Sequence, residues 1–539
     1  MEFIVKLILK VFMDISYIVL FCLGCIGSLY SIFSNIEKYW RFKYDGKISN
    51  LINKTVRIKK TSLGINSRYF AVFVIASLFP SLSFAEVAQA QVDLKNHFIG
   101  YLGIAITVLA YAIAMTEDLH QLSKAKPMVL GSALIWLSIF VYYSVEYGSA
   151  KNVAVIFQSN LTAYAELFLF ITVSMTFLNA MTERRIFDAL RIILANRQYS
   201  YRKLFWITGI LAFILSTIIS SLTVGLLMGY IILVIGKGNP KFVGLAGLNA
   251  VIAANAGGTM SPLGGISTFF VWQQNMLHFT QFFNLTLPCI VNFFVPAFIM
   301  YFSVSKDTPA FAKEIPVLKR GSKRIIVIFI LTFSMTILSN VFLDMPAIAG
   351  MMLGLAILQF FAYYLTRSEK LGHFLVPETE QTIDTQKGFD VFKCIAGVDW
   401  DTLLFFYGAM MIVGALNFLG YLDAMAHFLF TQINPTLANI LIGLSSSSID
   451  NGTLMFAVLN MHPTLPVGQW LLLTLTLGVG GSLLAIGSAP ALHVLGLMKG
   501  NMKEGEGYTF TLHLLWMPAI LLGFFASIAT LYLINGGHF

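Results

Sequence analysis

Apolar stretches of about 18 or more residues recur along nearly the whole sequence, and each is long enough to cross a hydrocarbon core of roughly 30 Å as a helix. Lipid offers no partners to backbone N–H and C=O groups, so such stretches cross it as helices, which satisfy those groups internally. Only 11% of the 539 residues are charged, too few to cover a soluble globule. The sequence therefore predicts an all-α polytopic protein that passes many times through the cell inner membrane.

Ten membrane spans are predicted from residue 98 onward, together with one hairpin in each half that enters and leaves on the same face. The hairpins cover residues 204–236 and 430–462, where short apolar arms flank a polar tip. The spans are at residues 98–115, 127–145, 164–181, 243–272, 281–303, 325–342, 345–366, 400–419, 468–498 and 509–535.

Basic residues lie in the loops that this topology places on one side, as the positive-inside rule requires of the cytoplasmic face. The net charge is +9, but the Lys and Arg residues are dispersed among short loops, which argues against a nucleic-acid partner. The loops carry Lys124 and Lys126; Arg184, Arg185, Arg191, Arg197, Arg202 and Lys203; Lys306, Lys313, Lys319, Arg320, Lys323 and Arg324; and Lys499 and Lys503.

The two halves of the chain share one order of elements: three spans, a hairpin and two spans. Because five crossings is an odd number, the second half runs upside down relative to the first, as in the inverted repeats of secondary transporters. The hairpin tips align at an offset of 230 residues, which places Ser220-Ser221 opposite Asp450-Asn451. Small-residue interruptions follow at 257–265 and 480–488, aligned at an offset of 223.

Glycine and proline in mid-span free backbone groups that cannot stay unpaired in lipid, so such breaks face protein or a wet cavity, where they can coordinate ions. Close packing of helices is the alternative explanation. The predicted organisation is a first repeat at 98–303, a linker with the first two spans of the second repeat at 304–399, and the rest of that repeat at 400–539.

Residues 1–97 form an N-terminal extension that admits two interpretations. Either residues 10–34 are an extra anchor helix, or the biological start lies near residue 60 and the upstream part extends the gene model. A second apolar run ends in Ser83-Phe84-Ala85, which resembles a signal-peptidase site with cleavage after Ala85. Cys22 and Cys25, inside an apolar run, are interpreted as buried small residues and not as a redox or metal site.

Asp450 is the clearest candidate for chemistry, because an ionisable group at bilayer depth costs roughly 3 kcal/mol and is a functional candidate by default. Its neighbours are hard oxygen donors suited to Na⁺ or Li⁺. A partly desolvated carboxylate also binds protons more readily, so a proton and a cation can compete for one site. The alternative is a carboxylate that caps the second hairpin arm, and the two roles are compatible. The neighbouring donors are Asn451, Thr453, Ser446 and Ser448.

Further oxygen donors come from the first hairpin and from the two breaks, although each singly is as well explained by a helix cap or an interhelical hydrogen bond. They are Ser220, Ser221, Thr223, Asn255, Ser261, Ser482 and Ser488. Glu166 and Asp401 are candidate proton relays, with plain interfacial charges as the favoured alternative. His493 is a third relay candidate, with a packing role as its alternative.

Enzyme motifs are lacking in the sequence: there is no H-E-x-x-H, no G-x-S-x-G, no P-loop and no G-x-G-x-x-G. No enzyme activity and no cofactor are therefore predicted.

Several segments together resemble the NhaD-type sodium/proton antiporters of the ion-transporter superfamily, over about residues 95–535. They are Gly100-Tyr101-Leu102, Met115-Thr116-Glu117-Asp118, Lys124-Ala125-Lys126-Pro127, the run 253–264, Asp399-Trp400-Asp401, Ile449-Asp450-Asn451, Gly480-Gly481-Ser482 and Ile486-Gly487-Ser488-Ala489. The resemblance implies extrusion of Na⁺ or Li⁺ driven by inward proton flow, on an elevator-like scaffold that is often a homodimer.

Two positions depart from the family pattern. Its first hairpin tip also reads Asp-Asn, where this chain has Ser220-Ser221, and its first break ends in an acid, where this chain has Gly265. Fewer carboxylates imply fewer exchangeable protons, a changed ion or lost activity. Two other functions therefore stay open: a proton- or sodium-coupled transporter of carboxylates or oxyanions, and a membrane sensor or scaffold that binds Na⁺ without moving it.

Overall fold

The computed structural model describes residues 94–117, 122–309, 318–373, 389–503 and 505–536. The interpretations of the anchor helix, the two N-terminal cysteines and the cleavage site at Ala85 lie outside these residues. Throughout the described ranges the regular elements are helices, and none is a strand.

The first half of the described chain contains nine α-helices. They are α1 (Phe98–Met115), α2 (Ala125–Glu146), α3 (Lys151–Glu183), α4 (Ile186–Asn196), α5 (Tyr201–Ser216), α6 (Ser221–Ile235), α7 (Pro240–Thr259), α8 (Ile266–Gln273) and α9 (Thr286–Tyr301), with a 3₁₀ helix at Phe279–Leu285 before α9.

The second half continues the series with ten more. They are α10 (Ser322–Leu343), α11 (Ala347–His373), α12 (Val391–Ala396), α13 (Trp400–Phe418), α14 (Tyr421–His427), α15 (Pro435–Ser445), α16 (Asn451–Asn460), α17 (Val467–Gly480), α18 (Ala489–Asn501) and α19 (Phe510–Asn535), with a π-helical turn at Phe428–Gln432 and a 3₁₀ turn at Gly481–Leu483.

Nine of the ten predicted spans contain a helix that is long and apolar enough to cross a membrane, within the part of the chain that the structure describes. The remaining span, 468–498, consists of α17 and α18 with a break between them. The predicted span 243–272 is interrupted in the same way, between α7 and α8. These observations establish a multi-pass membrane protein.

Both hairpins have the predicted form of two helical arms around a tip. In the first, α5 ends at Ser216 and α6 begins at Ser221; in the second, α15 ends at Ser445 and α16 begins at Asn451. Each hairpin's first arm packs on the helix that precedes the break of its own half, α5 on α7 and α15 on α17. The second arms pack on the other half of the chain instead, α6 on α18 and α16 on α8.

Helix α3 of the first half runs antiparallel to the segment α12–α13 of the second half. The Tyr164 hydroxyl of α3 donates to the Leu403 carbonyl of α13 at 3.1 Å, and Asn179, further along α3, donates to the carbonyl of Cys394 in α12, earlier in the chain than Leu403, at 2.9 Å. Helix α1 packs on α2 and α10 on α11, while α2 packs on α13 and α11 on α3.

Several of the predicted basic loops meet at one end of the bundle. The Lys319 amide donates to the Arg184 carbonyl, and the Arg184 guanidinium donates to the Arg320 carbonyl at 3.2 Å. The Arg202 guanidinium donates to the Val304 carbonyl at 3.0 Å. We call this the basic end of the molecule.

Candidate ion-binding site

Asp450 is the residue that caps α16 at the tip of the second hairpin. Its Oδ2 accepts hydrogen bonds from the backbone N–H groups of Gly452 at 3.0 Å and Thr453 at 3.1 Å, and from the Thr453 hydroxyl at 3.4 Å. A carboxylate at this position is stabilised by the partial positive charge of the helix N-terminus. The capping role is therefore present, and Oδ2 accepts all of these hydrogen bonds.

A cavity of about 1300 Å³ reaches the hairpin tip, where Asp450 and Ser448 form part of its wall. Another part of the wall is formed by Lys499 and Lys503, which belong to one of the predicted basic loops. The cavity therefore connects the Asp450 carboxylate with a loop that the positive-inside rule predicts to be cytoplasmic.

The two breaks meet in the buried core through Asn255. Its side-chain amide donates to the hydroxyls of Ser482 at 2.7 Å and Ser488 at 2.8 Å, and all three side chains are buried. Ser482 is held from the other side, because Nε2 of the buried His513 lies 2.8 Å from its carbonyl oxygen. A chain of polar contacts thus joins the two halves at the level of the breaks.

Equivalent contacts in the two halves hold the tip of each hairpin against the break of its own half. The Ser216 hydroxyl donates to the Ala254 carbonyl, and 230 residues after Ser216 the Ser446 hydroxyl donates to the Leu477 carbonyl at 3.2 Å. Ala254 and Leu477 differ by 223 positions, which is the offset of the breaks. Glycines show the same pairing: Gly264 lies against the Ser216 carbonyl, as Gly487 does against that of Ser446.

The first tip is built without a charge. Ser220 precedes α6 with no capping hydrogen bond from its side chain, and the Ser221 amide donates to the Gly264 carbonyl at 2.9 Å. Thr223 is buried, and the Ser261 hydroxyl accepts a hydrogen bond from the Leu263 amide at 3.2 Å inside the break. Neither Ser220 nor Ser221 is among the described residues that line the large cavity.

The relay candidates Glu166 and Asp401 line different cavities. Glu166 accepts a hydrogen bond from Gln273 and lines a second cavity of about 610 Å³, which also includes Asp344 of the loop between α10 and α11. Asp401, in the first turn of α13, accepts a hydrogen bond from Ser123 and lines the large cavity.

His493 lines the large cavity as well, and its Nε2 lies 3.4 Å from Oδ2 of Asp399, the N-cap of α13. Burial by itself raises the pKa of Asp399, but hydrogen bonds from His493 and Thr402 outweigh burial and hold that pKa well below its usual range. Asp399 is therefore a permanent negative charge at neutral pH.

Comparison with known proteins identifies the family to which this chain belongs. A family model described as a citrate transporter matches residues 94–478. A Na⁺/H⁺ antiporter NhaD from Vibrio cholerae is 45% identical over 475 residues, which cover 86% of this chain and 98% of that relative. An NhaD from Halomonas elongata is 42% identical over 87% of this chain and 95% of its own length. The chain belongs to the NhaD family. A sodium/proton antiporter 1 from Arabidopsis thaliana is more distant, at 27% identity over 75% of this chain.

Two residues of this NhaD-family chain that sequence reasoning did not single out approach the tip. Tyr111 of α1 lines the same large cavity as Asp450 and interacts electrostatically with it. Lys124, which precedes α2, also interacts electrostatically with Asp450. No pattern in the sequence marks Tyr111, an ordinary member of an apolar span, and Lys124 indicates topology and contributes to the family resemblance without being marked as a site residue.

Proposed function

We propose that this chain exchanges Na⁺ or Li⁺ for protons across the inner membrane, with the Asp450 carboxylate as the site that both cations share. The observation that carries the proposal is the position of Asp450 at the inner limit of an open cavity, next to a helix N-terminus. Oδ2 is engaged by the cap, so a proton or a metal cation binds at Oδ1. The NhaD relatives, which carry the name Na⁺/H⁺ antiporter, support the same activity.

Exchange follows from competition at one carboxylate. A bound proton neutralises Asp450 and lowers its affinity for a hard cation, whereas a bound cation lowers its affinity for a proton. Each crossing of the loaded site therefore carries one ion or the other. Ser448 and the carbonyl groups of the tip and of the break that contains Gly487 complete the oxygen environment.

The alternation of access rests on an inverted repeat of two five-span units. Its support is the recurrence of the tip and break contacts at fixed offsets, together with the antiparallel contact of α3 with α13. The large cavity, lined by α1, α13 and α18, and the smaller cavity, lined by α10, α3 and α8, involve corresponding helices of the two halves. The described conformation is then open to the cytoplasm, because of these two cavities it is the large one whose wall includes Asp450.

Exchange is tested in everted vesicles by the dequenching of a pH-sensitive dye on addition of Na⁺, Li⁺, K⁺ and several anions in turn. Asp450→Asn is the decisive variant, because an amide oxygen still accepts the cap hydrogen bonds but carries no charge. We expect it to abolish Na⁺-dependent dequenching, and we expect Asp423→Asn, at an exposed position on α14, to leave it intact. Full activity of Asp450→Asn would refute the assignment, and Na⁺ binding by the wild type without flux would indicate a sensor.

A second function, transport of carboxylates or oxyanions coupled to protons or Na⁺, is supported by the family model described as a citrate transporter. The N-terminal amides of α6, beside Ser220 and Ser221, are of the kind that bind anions. Uptake that is stimulated by an anion and indifferent to an imposed Na⁺/H⁺ exchange would favour this function over antiport.

A further inference from the structure

Lys124 is positioned by contacts on the α13 side of the large cavity. Its ammonium group lies over the Phe405 ring of α13, 4.8 Å from the ring centroid. The preceding residue, Ser123, donates a hydrogen bond to Asp401, also on α13. A cation over an aromatic face is attracted by the ring quadrupole. Both contacts fix the lysine to the same helix.

The cavity wall brings this ammonium group and the Asp450 carboxylate into one space. Both residues line the cavity, and Lys124 acts electrostatically on Asp450 across it. Asp450 belongs to a hairpin tip, whereas Lys124 belongs to the start of α2, which packs on α1 and α13. The positive charge therefore faces the tip from a different part of the fold.

We propose that Lys124 is a tethered cation that competes with the transported ions for the Asp450 carboxylate and so sets the affinity of the site. This inference rests on the proposed function, because it concerns the same carboxylate. It assigns Lys124 as a residue that determines apparent ion affinity, a role distinct from the one that its loop plays in membrane topology.

The charge of Lys124 repels a sodium ion and a proton by similar amounts, because both add one positive charge at nearly the same place. Its removal therefore strengthens binding of both. Where Asp450 is already deprotonated, the apparent KM for Na⁺ falls. Where a proton occupies Asp450, the gain for Na⁺ is cancelled by the gain for the proton, and the apparent KM changes little. The two regimes give a signature that a purely structural role of Lys124 does not produce.

Other titratable groups line the same cavity and also contribute to the pH dependence of the apparent KM for Na⁺. They are Tyr111 and Glu117 on and just after α1, Asp399 and Asp401 at the start of α13, His493 and Lys499 on α18, and Lys503, Glu506 and Tyr508 after it. These groups remain in place in every variant proposed below.

The experiment measures the apparent KM for Na⁺ of the full chain in everted vesicles at about pH 8.5 and about pH 6.5, for the wild type, Lys124→Gln and Lys124→Arg. At the alkaline pH, we expect Lys124→Gln to lower the apparent KM about five- to tenfold, with little change at the acidic pH. Lys124→Arg keeps the charge and should resemble the wild type. Lys126→Gln is the matched control, because Lys126 lies two residues further on, in the first turn of α2, and is exposed.

An unchanged KM at alkaline pH in Lys124→Gln would overturn the inference, as would an equal change at both pH values. If Lys124→Gln does not reach the membrane, Lys124→Met, which keeps an unbranched stem against Phe405, takes its place with the same expected result. Failure of the proposed function looks different, because the wild type itself would then show no Na⁺-dependent dequenching.

Discussion

The Asn255 side-chain nitrogen lies 2.7 Å from the Ser482 hydroxyl oxygen, although 227 residues separate the two in the chain. The same side-chain amide of Asn255 also donates to the Ser488 hydroxyl, 2.8 Å away at the end of the second break. One amide group thus links the 3₁₀ turn at Gly481–Leu483 to Ser488, the N-cap of α18, across the second break. The breaks are consequently not two independent features but one polar junction in the buried core.

Replacing Asn255 with Ala should weaken both the fold and the ion site. The buried Ser482 and Ser488 hydroxyls lose the amide group that donates to them, which costs about 1–3 kcal/mol, and the second break loses its register against the first. We expect a lower melting temperature in detergent and a higher apparent KM for Na⁺ in everted vesicles.

Asn249→Ala is the matched control for this change. Asn249 also lies buried on α7, but it donates to the Phe205 carbonyl, away from the breaks, at 3.0 Å. It should lose stability without a change in KM. If the two variants had the same KM, the junction would be structural only.

The carboxylate of the site was predictable from the sequence because a charge inside an apolar hairpin is conspicuous without knowledge of its partners. The junction was only partly predictable. The offsets of 230 and 223 aligned the tips and breaks, but nothing in one sequence shows that Asn255 reaches Ser482 and not a neighbour. Lys124 and Tyr111 could not be found, because their importance lies in their distance to Asp450 in three dimensions.

The third span illustrates a limit of hydropathy. It was expected at 164–181, yet α3 begins at Lys151. Its first turns contain Asn160, which is buried, donates to the Ile156 carbonyl at 3.0 Å and lies against Gly414 of α13. A polar residue that finds partners within the bundle is compatible with a span, but it lowers the apolar signal that locates one. The predicted repeat and its domain boundaries stay predictions.

Gly487→Ala should disable the second hairpin. An added Cβ would overlap the carbonyl oxygens of Ser446 and Ser447, so the tip that holds Asp450 has to move. We expect loss of exchange with protein still in the membrane, or loss of folded protein. Gly264→Ala should act alike through the Ser216 carbonyl if the halves are equivalent.

Gly496→Ala provides the comparison for both glycine variants. It lies within α18, and an added Cβ there meets nothing within 4 Å. Alanine favours a helix by up to about 1 kcal/mol over glycine, so this variant should be as stable as the wild type or more so. Normal exchange by Gly487→Ala would contradict the close contact between tip and break.

Phe269 belongs to α8, the helix that packs on the second arm of the second hairpin. It lines the smaller cavity and stacks on Phe170 of α3 with ring centroids 4.2 Å apart, while its neighbour Phe270 contacts Phe456 of α16 at 5.5 Å. Phe269→Ala removes this aromatic layer. We expect passive entry of radioactive sodium into vesicles and a several-fold smaller pH gradient at steady state, together with a stability loss of about 3–5 kcal/mol.

Phe283→Ala is the control for the aromatic layer, because Phe283 is 61% exposed. This variant should show no passive entry of sodium and should build the same pH gradient as the wild type. If the folded Phe269→Ala protein still exchanged Na⁺ for protons without a leak, the barrier between the smaller cavity and Asp450 would lie elsewhere.

Asp399→Asn tests the contact between Asp399 and His493 in the wall of the large cavity. Because the pKa of Asp399 is lowered in the folded protein, its charge stabilises the fold at every pH above the ordinary carboxyl value of about 4, and that contribution is lost only as the pH falls further. The variant should therefore melt about 2–4 °C below the wild type in detergent at neutral pH. The difference should persist on moderate acidification and narrow only below about pH 4. Asp423→Asn, at an exposed position, should show no such difference at any pH. Equal melting temperatures for the Asp399 variant and the wild type at neutral pH would mean that His493 and Thr402 do not stabilise the carboxylate.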